Sequence, residues 1–215
     1  MDNIAEYNKM LKGTTTIGIV CSDGIILGAD SRATMDTFIA SSEAKKVWKI
    51  DETLGITIAG GVGDAQELIR ILKAQNEIYK MNEYRSLSPQ AATSVLSIIL
   101  QENKMLPFLV QLIVGGLNEE GKKQLYSIDP LGGWTEETKF CSTGSGSLTA
   151  LGYIEEAYKP EIATKDAIKL VAKALSIAMK RDSATGDQMH IATITSSGFV
   201  EYTDKDLEKI LSSAK

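Results

Sequence analysis

The apolar period of this chain switches between two and 3.6 in blocks, and that order restricts the fold more than any single residue does. Residues 14–30, TTTIGIVCSDGIILGAD, predict a hairpin in which two β-branched runs flank Ser22-Asp23-Gly24, with Gly24 free to take the positive φ of a tight turn. Further strands are expected at 47–50, 54–59, 109–117, 124–129, 138–142, 189–195 and 198–202. A helix over 64–81 places Leu68, Ile71, Leu72 and Tyr79 near one face. A second, over 88–104, opens with Ser88 as N-cap and Pro89 at its first position, and buries Ala92, Val95, Leu96 and Ile99. A third, over 164–181, opens with Thr164 and carries Ile168, Val171, Ala172 and Leu175 at core spacing. Shorter helices are expected at 146–158 and at 203–213, the latter capped by Thr203. Strands, two helices, strands, two helices, two strands and a last helix do not alternate as βαβ units, which argues against a doubly wound parallel sheet. The expected class is α+β: two antiparallel sheets packed together with helices on the outer faces. No linker, low-complexity segment or internal repeat divides the chain, so one domain is expected.

Charge and composition narrow the function. Lys+Arg 23 against Asp+Glu 28 leaves a net charge of -5, without the clustered cations that phosphate binding needs, so no nucleic-acid partner is expected. No apolar run approaches the ~20 residues of a membrane span, and MDNIAEYNKMLKG lacks the apolar stretch of a secretory signal. A soluble, cytoplasmic chain is expected. Cys21 and Cys141 lie far apart and outside any CxxC pattern, so two buried thiols in a reducing compartment are the expectation, with a disulfide as the alternative. One histidine, His190, is too few for the usual zinc donor set, whereas a carboxylate site for magnesium or calcium stays open. His190 sits in the strand MHIATIT with no metal or triad partner suggested nearby, and reads as a packed or edge side chain.

One junction invites chemistry. A short mixed leader ends in Gly13, directly before Thr14-Thr15-Thr16 and a β-branched strand. Alone it is ordinary strand sequence, since threonine favours strands. It is followed, in order, by Gly28-Ala29-Asp30-Ser31-Arg32 with Thr34, then Lys45-Lys46, then Ile58-Ala59-Gly60-Gly61-Val62-Gly63-Asp64. Next come Gly115-Gly116, Ser142-Thr143-Gly144-Ser145-Gly146-Ser147 and Arg181-Asp182-Ser183-Ala184-Thr185-Gly186. From Thr14 to Asp182 this series resembles the β subunits of the 20S proteasome, archaeal type, which belong to the N-terminal-nucleophile hydrolases and to peptidase family T1. The resemblance implies a four-layer αββα sandwich. A phosphate-cradling reading of GGVGD fails, because GxGxxG requires glycine where Gln66 stands and no GK[ST] follows.

The resemblance implies a threonine endopeptidase. Residues 1–13 would be a propeptide removed by autocatalytic cleavage at Gly13–Thr14, leaving 14–215 as one catalytic domain. A free α-amine on Thr14 can then take the proton of its own hydroxyl, directly or through water, which makes a weak nucleophile effective. Lys46 is similar to the family's active-site lysine, and Asp30 to the acid that pairs with it; a buried lysine lacking such a partner tends to shed its charge. Gly60 would donate the backbone N–H that stabilises the oxyanion. Asp182 is similar to the second acid, Ser145 to a serine bonded near the new N-terminus, and Thr185 stands where the family usually has serine but retains a hydroxyl. Arg32 would be a neighbour of the site, and Lys45 a surface charge.

Thr34 would position an extended substrate backbone. Ala33, Ala44, Trp48, Ile58 and Val62 would line the pocket for the side chain before the cut; none is charged, which predicts a chymotrypsin-like preference for apolar side chains, although Trp48 reads equally as core. The resemblance implies no cofactor. Its implied partners are copies of the chain or related β chains in a heptameric ring, α subunits in an α7β7β7α7 barrel, an ATP-dependent unfoldase, and unfolded polypeptide substrates. Two other readings stand beside this one. The chain could be a structural or partner-activated β subunit, against which the intact junction, Asp30, Lys46 and Asp182 argue. It could also be the simpler bacterial two-ring peptidase, whose shorter chains lack a helical segment like 203–213.

Overall fold

The computed structural model describes residues 13–35 and 37–212. One antiparallel sheet contains β1 (Thr16–Val20), β2 (Gly24–Asp30), β10 (Phe140–Thr143), β11 (Met189–Thr195) and β12 (Gly198–Tyr202), in the order β10-β1-β2-β11-β12. The other contains β5 (Val47–Asp51), β6 (Leu54–Gly60), β7 (Val110–Leu117), β8 (Lys123–Ile128) and β9 (Trp134–Glu136), in sequence order and likewise antiparallel. A small ribbon pairs β3 (Ala33–Met35) with β4 (Phe38–Ser41). The helices α1 (Val62–Glu83) and α2 (Pro89–Glu102) cover the second sheet, and α3 (Ser147–Ala157) and α4 (Thr164–Arg181) cover the first. The last helix, α5 (Asp204–Ser212), seats Leu207 in the core beneath α4. The layers therefore run helix, sheet, sheet, helix, as expected.

Strand alternation explains how one sheet serves two cores. In β2, Ile25, Leu27 and Ala29 face the second sheet, where they meet Ile113 and Leu125. Ile26 faces the other way, onto α4, among Ile168, Val171 and Leu175. Gly28 shares that outward face because a Cβ there would come within 2.5 Å of Val171 Cγ1. Leu54, Ile56, Leu68, Leu72, Leu96 and Val114 fill the third core, between the second sheet and its helices. Each such fully buried side chain stabilises the fold by about 1.5–3 kcal/mol.

Helix ends follow the expected chemistry in part. Ser88 caps α2 by accepting from the Ala91 amide, with Pro89 in the first turn. At α4 the cap position is Ala163, and Thr164 does not cap its own helix. Both the amide and the hydroxyl of Thr164 instead donate to Asp23, at 2.8 Å each, so the hairpin turn supplies the missing acceptor. At the start of α5 the Thr203 amide and hydroxyl both donate to the Asp206 carboxylate, so Thr203 is bonded there as a donor and not as the accepting cap expected. Gly24 is a correction too: its φ is not positive, and glycine is required because a Cβ would stand 2.3 Å from the Ile194 carbonyl. Patterning gives no expectation for β3, β4 or β9, which are three or four residues long and largely exposed.

Cys21 and Cys141 are buried free thiols. Burial pushes both up, Cys21 to about 12, which leaves them inert packing groups. Among the described residues no helix is long and apolar enough to cross a membrane.

Candidate active site

Several chain ends meet at one end of the sandwich: β1 starts there, as does the segment leading into β5, while β2, β6, β10 and α4 finish there. The sequence places a polar or glycine residue at each of these ends, so the fold gathers them without cost to the core. Of the expected leader, only Gly13 lies within the described residues. Gly13 and Thr14 have φ of 124° and 112°, and for threonine that region is strained. The Thr14 amide donates to the Ala184 carbonyl at 3.3 Å, and the Gly13 amide to Ser145 Oγ at 3.2 Å. Thr14 is 4% exposed and Thr15 fully buried.

Asp30 and Lys46 form the charged centre. Asp30 is fully buried; its Oδ1 accepts the Thr15 amide at 2.8 Å and Lys46 Nζ at 3.0 Å, and its Oδ2 accepts the amides of Gly186 at 2.9 Å and Arg32 at 3.1 Å. Lys46 Nζ also donates to the Arg32 carbonyl. Burial pushes the Lys46 ammonium below its ordinary range, and the charge and hydrogen bond of Asp30 oppose that shift only in part. A lysine held this way gives up a proton more readily than a solvated one.

A second acid closes the other side. Asp182 Oδ2 accepts from Ser145 Oγ, and from Thr185 Oγ1 at 2.6 Å. Thr185 Oγ1 also lies 2.8 Å from Thr15 Oγ1, so the hydroxyl in place of the family's usual serine is engaged on both sides. Arg32 locks this loop with two hydrogen bonds to Asp187, at 3.0 and 3.1 Å, and one to the Ser183 carbonyl. The Gly144–Gly146 turn presses on the nucleophile segment: a Cβ at Gly144 would meet the Thr14 carbonyl oxygen at 2.2 Å, and one at Gly146 would meet Thr15 Oγ1 at 2.1 Å.

Gly60 ends β6 with φ of 118°, and a Cβ there would strike the Leu109 carbonyl at 2.1 Å. It lines a cavity of about 460 Å³ together with Gly13, Thr14 and Lys46. All six expected substrate residues, Ala33, Thr34, Ala44, Trp48, Ile58 and Val62, line this cavity. Trp48 is therefore wall as well as core. Its indole N–H donates to the Lys45 carbonyl, and the ammonium groups of Lys45 and Lys73 each stand 5.5 Å from its ring centre. Beside these uncharged residues, Glu43, Lys45 and Lys46 also line it, with Gln66. Lys45 is exposed and paired with Glu201 at 2.8 Å, so it is a surface charge that borders the cavity. Glu43 and Gln66 carry no signal in the sequence, since only the turn of the chain brings them there. His190 lies apart, beside Gln188 and Tyr202 in a second cavity of about 550 Å³.

Two five-stranded antiparallel sheets between helix layers, with a threonine at the start of an inner strand facing a lysine–aspartate pair, define the architecture of the N-terminal-nucleophile hydrolases. The proteasome subunit family model matches residues 10–194. The chain is 44% identical over 208 residues to "Proteasome subunit beta" of Methanococcus aeolicus, covering 97% of this chain and 96% of that one. It is 46% identical over 202 residues to the protein of the same name from Methanocaldococcus fervens (94% and 90% covered), and 45% over 203 residues to that of Archaeoglobus fulgidus (94% and 95%). The chain belongs to the proteasome subunit family, on its β side.

Proposed function

We propose that this chain is a threonine endopeptidase of a proteasome core, with Thr14 as the nucleophile once the Gly13–Thr14 bond is cut. The observation that carries the reading is the convergence of Asp30, Lys46, Ser145, Asp182 and Thr185 by hydrogen bonds around the Gly13–Thr15 segment, at the mouth of the cavity. Cutting that bond converts the Thr14 nitrogen from an amide into an amine, and only an amine can accept a proton. The Thr14 hydroxyl then attacks the scissile carbonyl and yields its proton to that amine or to a bridging water. Lys46 lowers the hydroxyl's hold on that proton, and Asp30 fixes Lys46. The Gly60 N–H stabilises the oxyanion, an electrostatic contribution of about 3–4 kcal/mol in comparable sites. The proton passes to the leaving amine, and water hydrolyses the ester on Thr14. Removal of 1–13 cannot use that amine: the Thr14 hydroxyl attacks the Gly13 carbonyl and yields its proton to a water. The acyl group passes from the Thr14 nitrogen to Oγ1 as that nitrogen takes up a proton, and a second water hydrolyses the ester.

The pocket walls Ala33, Ala44, Trp48, Ile58 and Val62 support a preference for apolar side chains before the cut, with Glu43, Lys45 and Lys46 as the charged lining. The proposed setting is a heptameric β ring within an α7β7β7α7 barrel in the cytoplasm, fed with unfolded polypeptide by an ATP-dependent unfoldase. The test is to co-express the chain with an α-type partner and sequence the N-terminus of the assembled subunit. A Thr-Thr-Thr-Ile-Gly start, with a Thr14→Ala control that stays uncut and inactive, is the expected result. A Met1 start in assembled particles would overturn self-activation and leave a structural or partner-activated subunit.

A further inference from the structure

One polar side chain from the second sheet reaches the first sheet at the site. Gln111 stands at the beginning of β7, directly opposite Ala59 in the β6–β7 register, one residue before Gly60. Its Oε1 accepts the amide of Gly144 at 3.0 Å. Gly144 opens the turn that leans on Thr14, with φ of 89° and no room for a Cβ beside the Thr14 carbonyl. Within the same turn the Gly146 amide donates to that carbonyl at 3.4 Å, and Ser145 Oγ joins the Gly13 amide to Asp182.

We infer that Gln111 is a positioning residue: its side-chain carbonyl holds the Gly144–Gly146 turn, and with it Ser145, at the height the Thr14 segment requires. The inference rests on the peptidase reading above and adds a residue which that reading does not use. The turn carries three contacts to the segment around Thr14, and the Gln111 hydrogen bond ties it to β7, the strand paired with the one that ends in Gly60. The donor N–H is half-buried, so loss of its acceptor leaves it poorly satisfied and lets the turn shift. A shift of about 1 Å in such a frame costs up to about 100-fold in rate while substrate contacts elsewhere persist. The effect therefore falls on kcat and spares KM.

The test uses assembled particles of wild type, Gln111→Met and Gln111→Glu, with Thr14→Ala as the inactive control. Peptide hydrolysis and the rate of Gly13–Thr14 cleavage are both followed. Gln111→Met removes the acceptor at similar volume, and kcat is expected to fall about tenfold, with KM within about twofold and cleavage slowed in step. Gln111→Glu keeps an acceptor and is expected to retain at least about a third of the wild-type kcat at alkaline pH. In either protonation state the introduced carboxyl keeps an oxygen that accepts the Gly144 amide, so that retention is expected across the pH range. Wild-type kcat in Gln111→Met, or a glutamate variant as slow as the methionine one at every pH, would overturn the inference. If Gln111→Met fails to assemble, Gln111→Ala takes its place under the same reading: a fall in kcat with KM preserved supports the inference, and wild-type kcat refutes it. Wild type that neither self-cleaves nor hydrolyses peptide would instead refute the peptidase reading, and this inference with it.

Discussion

Replacing Asp30 with asparagine isolates the one group on which the site's order depends. The carboxylate is fully buried and accepts from four donors, two on each oxygen. An asparagine offers one oxygen and sets an N–H2 in place of the other. The Lys46 ammonium is the strongest donor, so the amide oxygen turns toward Lys46 and Thr15, and the N–H2 confronts the amides of Arg32 and Gly186. Two hydrogen bonds to a charged acceptor are lost, at about 1.5–2 kcal/mol each, for a total of about 3–4 kcal/mol. In a chain of this length each kcal/mol moves the midpoint by about 2–4 °C, so Asp30→Asn should lower Tm by roughly 6–16 °C. Calorimetry of the purified chain measures that drop. Hydrogen exchange should add a local signature, with the Gly186 amide losing protection and the Thr15 amide keeping it. A Tm within about 2 °C of wild type, or unchanged protection at Gly186, would refute this account of Asp30.

Three other outcomes follow from the same geometry. Thr185→Ser should keep kcat within about threefold, whereas Thr185→Val orphans Thr15 Oγ1, deprives Asp182 of one donor and should cost about 1–3 kcal/mol in urea unfolding; equal stability of the two variants would contradict the pairing. Gly146→Ala drives a Cβ into Thr15 Oγ1 and should reduce peptide hydrolysis by at least about tenfold with assembly intact, which a fluorogenic peptide assay reads directly. Burial raises the Asp51 carboxyl, but hydrogen bonds from Lys80, Ser86 and Asn76 outweigh it and hold the group well below the usual carboxylate range. Its stabilising effect is therefore complete above about pH 4 and is lost as pH falls below that value. Asp51→Asn should cost about 1–2 kcal/mol at pH 7 and flatten the decline between pH 4 and pH 2, as urea midpoints across that range would show.

Elements long enough to display a period were legible in the sequence. The runs at 54–59 and 189–195 and the helices over 64–81 and 164–181 reappear within a few residues, because each repeats its apolar pattern several times. β3, β4 and β9 show too few residues for any alternation, and their exposed side chains, such as Phe38, carry no burial signal. The cap of α4 was illegible for another reason: its acceptor, Asp23, lies 141 residues before Thr164. At the site, resemblance supplied Thr14, Asp30, Lys46, Ser145 and Asp182, and the fold brings all five together. Gln111, Glu43 and Gln66 were not found. Glutamine in a strand and glutamate after a short ribbon are unremarkable until tertiary contacts give them neighbours.

The long spans between the groups that meet at Thr14 have a consequence in time. Asp30 finds its Gly186 partner 156 residues later, and Gly13 finds Ser145 at a separation of 132. At about 5–20 residues per second of synthesis, roughly ten to thirty seconds separate the emergence of Asp30 from that of Gly186. Through much of that interval a growing chain carries Thr14 without the Ser145 and Gly186 contacts that complete the frame around it. If Thr14 is the nucleophile proposed above, the loop at 182–187 has to emerge before the start of the chain can act, which keeps a growing chain inactive beside the ribosome.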